Sequence, residues 1–299
     1  MSFTALYGAT ILGLIYGLMV LGVFLSFRIL NFPDLTVDGS ITLGAAIAAS
    51  LIISGVNPIV ATLIAPLGGV LAGIITGTLH TKFSIPPLLA GILTMIGLYS
   101  INLRVMGRPN LPLLRQSNIF ENLQALGLTQ RTSEIMLSAL VALLFILIFN
   151  YFLNTEMGQA MRATGDNELM PRSLGVNTNR MKILGLGISN GVVALGGAML
   201  AQYQGFADIS MGIGMIIAGL ASVIIGEVLL GVRSILFRLI AVVFGSVVYR
   251  LVIAVVLRIG FFEPTDLKLF TALIVTIALI SPHLKQYTHK LREKIRPGG

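Results

Sequence analysis

Residues 186–211, LGISNGVVALGGAMLAQYQGFADISM, repeat the plan of residues 12–37, LGLIYGLMVLGVFLSFRILNFPDLTV. Leu12-Gly13 through Gly17 align with Leu186-Gly187 through Gly191, and Leu21-Gly22 aligns with Leu195-Gly196. Phe32-Pro33-Asp34-Leu35-Thr36 then aligns with Phe206-Ala207-Asp208-Ile209-Ser210, at one gap-free offset of 174 residues. Glycine pairs match cheaply in a chain with 33 glycines, but a register held through an apolar run and the F-x-D-[LI]-[TS] turn after it is harder to reach by chance. The stretch reads as the second copy of a helix-turn unit.

Working outward, 56% of residues are hydrophobic and 11% charged, and the apolar residues come in blocks rather than stripes. A soluble fold of this size needs more surface charge, so the chain reads as an all-α polytopic membrane protein. About nine (eight to ten) apolar segments are expected, near Ala5–Phe27, Gly39–Ile53, Pro58–Leu79, Pro86–Leu103, Ile135–Leu153, Met181–Tyr203, Gly212–Leu230, Ile235–Leu257 and Leu267–Ser281. The second and seventh are short and follow irregular polar turns, the pattern of interrupted helices. An odd number of crossings, five, separates the copies, so the repeat is expected to be inverted. Four-residue glycine spacing at Gly13–Gly17, Gly69–Gly73–Gly77 and Gly187–Gly191 lets helix backbones approach closely. The first run lacks a basic leader and a small-residue cleavage site and reads as a retained helix.

The chemistry carried by the chain is sparse. There is no cysteine, hence no disulfide or thiolate, and no G-x-x-x-x-G-K-[ST] phosphate loop or Ser/His/Asp grouping. His80, His283 and His289 fall at segment ends or in the tail, where metal ligation is not expected. The net charge of +8 sits at the ends of apolar runs and in the tail, which is topological placement rather than a nucleic-acid stripe. Lys285, Lys290, Arg292, Lys294 and Arg296 put the C-terminus in the cytoplasm. Counting back brings Arg28, Lys82 and the polar island 156–180 to the same side, with the N-terminus and the loop Arg104–Arg131 outside. Four arginines in that outer loop run against the rule.

The island, EMGQAMRATGDNELMPRSLGVNTNR from Glu156 to Arg180, divides into two short helices. Thr155 caps a first that stops at Gly165, and Asp166 or Asn167 starts a second that stops at Gly175. Pro171 interrupts the second unless it begins near Met170. At membrane depth, Asp34, Asp38 and Asp208 cap the next half-helix or meet a substrate ammonium, with capping the default for Asp38. Asn31, Thr36, Ser40 and Thr42 are hydrogen-bonding candidates, as are Asn190 and Gln202. Phe32 and Phe206 either line an aromatic-accepting path or pack in the core. Arg250, mid-segment, requires a partner such as Glu227, an interfacial position or a place on the path.

These residues resemble a family. G-Q-A-M-R-A-T-G-D-N at 158–167 and L-G-V-N-T-N-R at 174–180 look like the cytoplasmic coupling loop of ABC importer permeases of the branched-chain amino acid and ribose type. LNFPDLTVDGSITLGAA at 30–46 and residues 186–216 are similar to a subgroup paired with lipoprotein receptors and linked to aromatic amino acids such as tryptophan or tyrosine. Pro171 departs from the helix-compatible residue expected there. The resemblance covers roughly Tyr7 to Pro282. It implies a single permease domain over 1–299, with halves near 5–153 and 180–283, a coupling loop at 156–180 and a basic tail at 284–299, in the plasma membrane of a bacterium. Implied partners are a second copy of the permease, two ATP-binding cassette subunits and an extracytoplasmic solute-binding lipoprotein, all within a lipid bilayer and without nucleic acid. No cofactor is expected on this chain, ATP and magnesium belonging to the ATPase. The ATPase-coupling residues implied are Gly158, Arg162, Ala163, Asp166, Asn167, Leu174, Gly175 and Asn177. The translocation path is expected along Asn31, Phe32, Asp34, Asp38, Asn190, Phe206 and Asp208, and the outer loop with the turn at 207–211 to receive the binding protein. An ion-coupled secondary transporter is the alternative, and a membrane scaffold without transport a further one.

Overall fold

The structure, a computed structural model, describes residues 3–121, 129–231 and 233–258, with Leu269, Ala272, Leu273 and Thr276 beyond. In chain order these form α1 (Phe3–Val23, prolonged by a π-helical turn at Phe24–Ile29), α2 (Thr36–Ile53), α3 (Pro58–Phe83), α4 (Pro87–Met106) and β1 (Asn110–Pro112). Then come α5 (Gln130–Asn154), α6 (Glu156–Asp166), α7 (Leu169–Ser173), α8 (Thr178–Gln204), β2 (Phe206–Asp208), α9 (Met215–Leu230) and α10 (Ile235–Arg258).

Among the described residues seven helices are long and apolar enough to cross a membrane, and α9 is a shorter apolar helix. That is eight of the nine expected segments. The ninth, near Leu267–Ser281, the basic tail, and His283 and His289 lie essentially outside the described residues. The count of about nine is therefore not reached here.

α8 is the centre, because glycines of α3, α2 and α1 (Gly22 against the Ser189 carbonyl) bring those helices to its backbone. A Cβ added to Gly69 would stand 2.1 Å from the Asn190 carbonyl oxygen, and one on Gly73 2.1 Å from that of Leu186. The α3 glycine stripe thus faces α8, as its spacing predicts. Gly44 of α2 meets the Ala194 carbonyl in the same way, while Gly13 of α1 meets the Val247 backbone of α10.

The repeat is built into this packing. Gly8 of α1 lies beside the Tyr203 hydroxyl, and the Ser189 hydroxyl donates to the Gly22 carbonyl at 2.7 Å. Position therefore rises along α1 as it falls along α8, and the two copies run antiparallel. The offset that aligns the sequences also carries α1 onto α8, α2 onto α9 and α3 onto α10. Both interruptions are present, at 30–35 and 205–214.

The ends of the bundle differ. At one, β1 pairs antiparallel with β2 (Asn110 with Asp208, Leu111 with Ala207, Pro112 with Phe206), joining the loop after α4 to the turn after α8. At the other lie Arg28, α6 and α7.

Candidate functional site

The island folds into the two expected helices with altered limits. Thr155 caps α6, its hydroxyl accepting from Gly158 N at 3.3 Å. α6 runs through Gly165 to Asp166 instead of stopping there. The glycine serves proximity: a Cβ on Gly165 would sit 1.9 Å from the Ile29 carbonyl oxygen. Gly158 is similarly constrained, since a Cβ there would sit 2.1 Å from the Phe152 carbonyl oxygen. Pro171 falls in the first turn of α7, where no helical N–H is required, and is buried. Asn167 Oδ1 accepts from Leu169 N at 3.0 Å, and Gly175 closes the turn with φ +84°. Asn177 caps α8 through Arg180 N.

A polar cluster pins α7 to the bundle. Glu168 pairs with Arg172 at 3.2 Å and with Lys182, which is buried. Lys182 Nζ lies 3.2 Å from His80 Nε2, and His80 stacks edge-on against Phe32 at 5.3 Å. Arg172 Nε donates to the Thr178 hydroxyl at 2.7 Å. Arg162, Ala163, Asp166 and Asn31, with Arg28 and Arg238, line a cavity of about 730 Å³ between α6 and the end of α1. Met157, Leu169, Met170 and Leu174 stand exposed on this platform, Leu169 by 75%. Of these only Leu174 is foreseen from the sequence. The others are apolar residues in a polar run, and their common outward face is a tertiary property.

The expected path residues lie at separate places in the chain. Asp34 and Asn190 meet in the core, Asn190 Nδ2 donating to Asp34 Oδ2 at 2.6 Å, while the Ser40 hydroxyl donates to Asn190 Oδ1 at 2.7 Å. Phe32 is buried and Asn31, at φ +53°, is exposed in the cavity beside α6. Phe206 and Asp208 lie on β2, with Asp208 Oδ2 accepting from Asn110 Nδ2 at 2.9 Å. Partial burial would raise the Asp208 carboxyl, but hydrogen bonds from Ser210 and Asn110 outweigh it and hold the group below its ordinary value. Gln202 is structural, bound to Thr62 and Ile119 N.

Two sequence expectations are corrected. Asp38 caps a helix, but the helix is α9: its carboxylate accepts from Gly214 N and Ile216 N, each at 2.8 Å. Its own helix α2 is started by Asp34, which accepts from Thr36 N. Arg250 does not pair with Glu227. It lies over the Tyr16 ring at 3.6 Å, where the ring face takes the charge, and Glu227 pairs with Arg28 at 3.1 Å instead. Sequence reasoning also passes over Asn102, buried in α4, whose Nδ2 donates to the Gly39 carbonyl at 3.1 Å.

Comparison with known proteins identifies the family. The profile of the family described as "Branched-chain amino acid transport system / permease component" matches residues 5–280. The tyrosine transport system permease protein of Clostridioides difficile (strain R20291) is 41% identical over 284 residues, 95% of this chain and 93% of that protein. The autoinducer 2 import system permease protein LsrC of Yersinia pseudotuberculosis (serotype O:1b, strain IP 31758) is 31% identical over 62% of this chain and 52% of its own. Among solved structures, PsaBC from Streptococcus pneumoniae in complex with Fab covers 92% of this chain and 89% of its own, at TM-score 0.49 and 17% identity. With inverted halves, interrupted helices and a family match spanning nearly its whole length, the chain belongs to the permease components of branched-chain amino acid transport systems of the ABC type, transport subunits rather than enzymes.

Proposed function

We propose that this chain forms the solute path of an ATP-driven importer for an amino acid, in particular an aromatic one. It works as a homodimer in a bacterial plasma membrane, with its C-terminus and the platform α6–α7 in the cytoplasm. Two ATPase subunits carry ATP and magnesium, and an external lipoprotein delivers the solute at the β1–β2 pair. The carrying observation is the platform: exposed apolar side chains and Arg162 face outward, while Gly165 lies in backbone contact with Ile29 at the end of α1. A body docked on α6 and α7 therefore pushes on rigid backbone.

Movement of α6 reaches α1 through Gly165, and movement of α7 reaches α8 and α3 through Glu168, Lys182 and His80. Both paths end at the interruption between α1 and α2, where Phe32 packs on His80. Nucleotide-driven closure of the ATPases would thus rock one half against the other around the two interruptions. The substrate class is supported by the tyrosine transport permease relative. The test is purification with the cognate ATPase, followed by uptake of L-tyrosine into proteoliposomes holding the full system. ATP-dependent uptake supports the reading; uptake by this chain alone on a sodium or proton gradient would replace it with secondary transport.

A further inference from the structure

A second cavity, of about 430 Å³, lies between α4, the first turns of α2 and the stretch 209–214 that leads into α9. Its lining is mixed. Asp38 and Asn102 contribute polar groups, and Met95, Tyr99 and Ile213 contribute apolar surface. No lysine, arginine or histidine lines it. Each Asp38 oxygen takes one backbone N–H of the α9 start, which leaves further lone pairs on both.

Asn102 is the sharper signal. Its Nδ2 is bound to the Gly39 carbonyl, which fixes the amide, yet among the described residues its Oδ1 is the one buried side-chain polar atom without a hydrogen-bond partner. An acceptor left bare inside a helix bundle is destabilising, so the arrangement suits a donor arriving from elsewhere. The mouth, at Tyr99 and Ile213, is open on the protein surface, these side chains being 52% and 59% exposed.

We infer that this cavity is a binding station for the ammonium group and the apolar or aromatic side chain of an amino acid in transit, with Asp38 receiving the ammonium and Asn102 Oδ1, enclosed in the wall of the empty cavity, coming into reach as the substrate seats. Ser100 also lines the wall, and its hydroxyl would donate to the substrate carboxylate. A volume of about 430 Å³ is in the range of small-molecule sites. The site joins the two halves, because Asp38 of the first holds the start of α9 in the second, so occupancy bears on the interruption that must move. This inference rests on the importer reading.

The experiment uses the permease–ATPase complex in nanodiscs without the external receptor, so that the receptor's own specificity is absent. Binding of L-tyrosine is measured with tyramine and 3-(4-hydroxyphenyl)propionate as competitors. Asn102→Leu should weaken L-tyrosine binding about tenfold, the loss of one hydrogen bond to a charged group. Ile213→Trp, at a surface position that leaves the core intact, should abolish it by filling the mouth. Tyramine, which keeps the ammonium, should compete, and the propionate, which lacks it, should not. Undiminished binding in both variants, equal competition by the propionate, or no binding to the native complex would overturn the site. ATP-dependent uptake by the complete native transporter is measured in parallel. If that persists while the site assays fail, the station is wrong and the importer reading stands; if uptake itself is absent, the importer reading falls.

Discussion

Asp34 and Asp208 accept the backbone N–H of the residue two positions on, Thr36 and Ser210, at the same 2.9 Å. The copies of one turn have been kept at opposite ends of an antiparallel pair and put to different uses. Asp34 is buried and also holds Asn190, whereas Asp208 is at the end of β2 and holds Asn110.

This asymmetry sets the effect of removing each carboxyl. Asp34→Ala leaves the Thr36 N–H and one Asn190 donor without their buried acceptor, and should cost about 2–3 kcal/mol. Asp208→Ala, whose partners reach water, should cost about 1 kcal/mol or less. Thermal unfolding of the detergent-solubilised permease compares the two, and equal losses would contradict the assignment of Asp34 to the core.

Substitutions at Gly165 and Gly175 should separate proximity from turn geometry. Gly165→Val drives a side chain into the Ile29 carbonyl and must displace α6, so transport should fall at least tenfold while the ATPase still binds ATP. Gly175→Ala meets nothing within 4 Å and carries only the strain of φ +84°, about 1–2 kcal/mol. Uptake in the second variant should stay within about twofold of native, since that strain falls on stability and not on the contact with α1. If both variants transported alike, the Gly165–Ile29 contact would have no part in coupling.

Arg162 is exposed on α6 beside the cavity it shares with Arg28 and Asp166. Reversing its charge in Arg162→Glu should leave the melting temperature unchanged and separate ATP hydrolysis from uptake. Hydrolysis and transport measured in the same proteoliposomes check this, and native uptake would remove Arg162 from the ATPase contact.

Because the Asp208 carboxyl is held below its ordinary value, its contribution is complete above the unfolded-state pKa, about 4, and is lost as pH falls through the folded value. The β1–β2 pairing should therefore be indifferent to pH near neutrality and loosen only in acid below about pH 4. Amide exchange at Ser210 reports it. Asp208→Asn should flatten the dependence, and an unchanged profile in that variant would assign the acid sensitivity elsewhere.

What the chain states locally was readable without coordinates. Apolar runs long enough for a bilayer marked the helices, Thr155 marked the start of α6, and the glycine stripe of α3 announced a close neighbour. The paired F-x-D turns revealed the duplication, and parity of crossings gave its inversion. Each of these depends on residues a few positions apart, or on two copies of one pattern. Partnerships between distant segments were decided by the tertiary structure. Asp38 caps α9 rather than its own helix, Arg250 finds Tyr16 while Glu227 goes to Arg28, and Asn102 is left with a bare acceptor on a cavity wall. A buried polar group must be satisfied, which the sequence makes plain; which group satisfies it depends on what packing brings within about 3 Å, and that distance exists only once the helices are assembled.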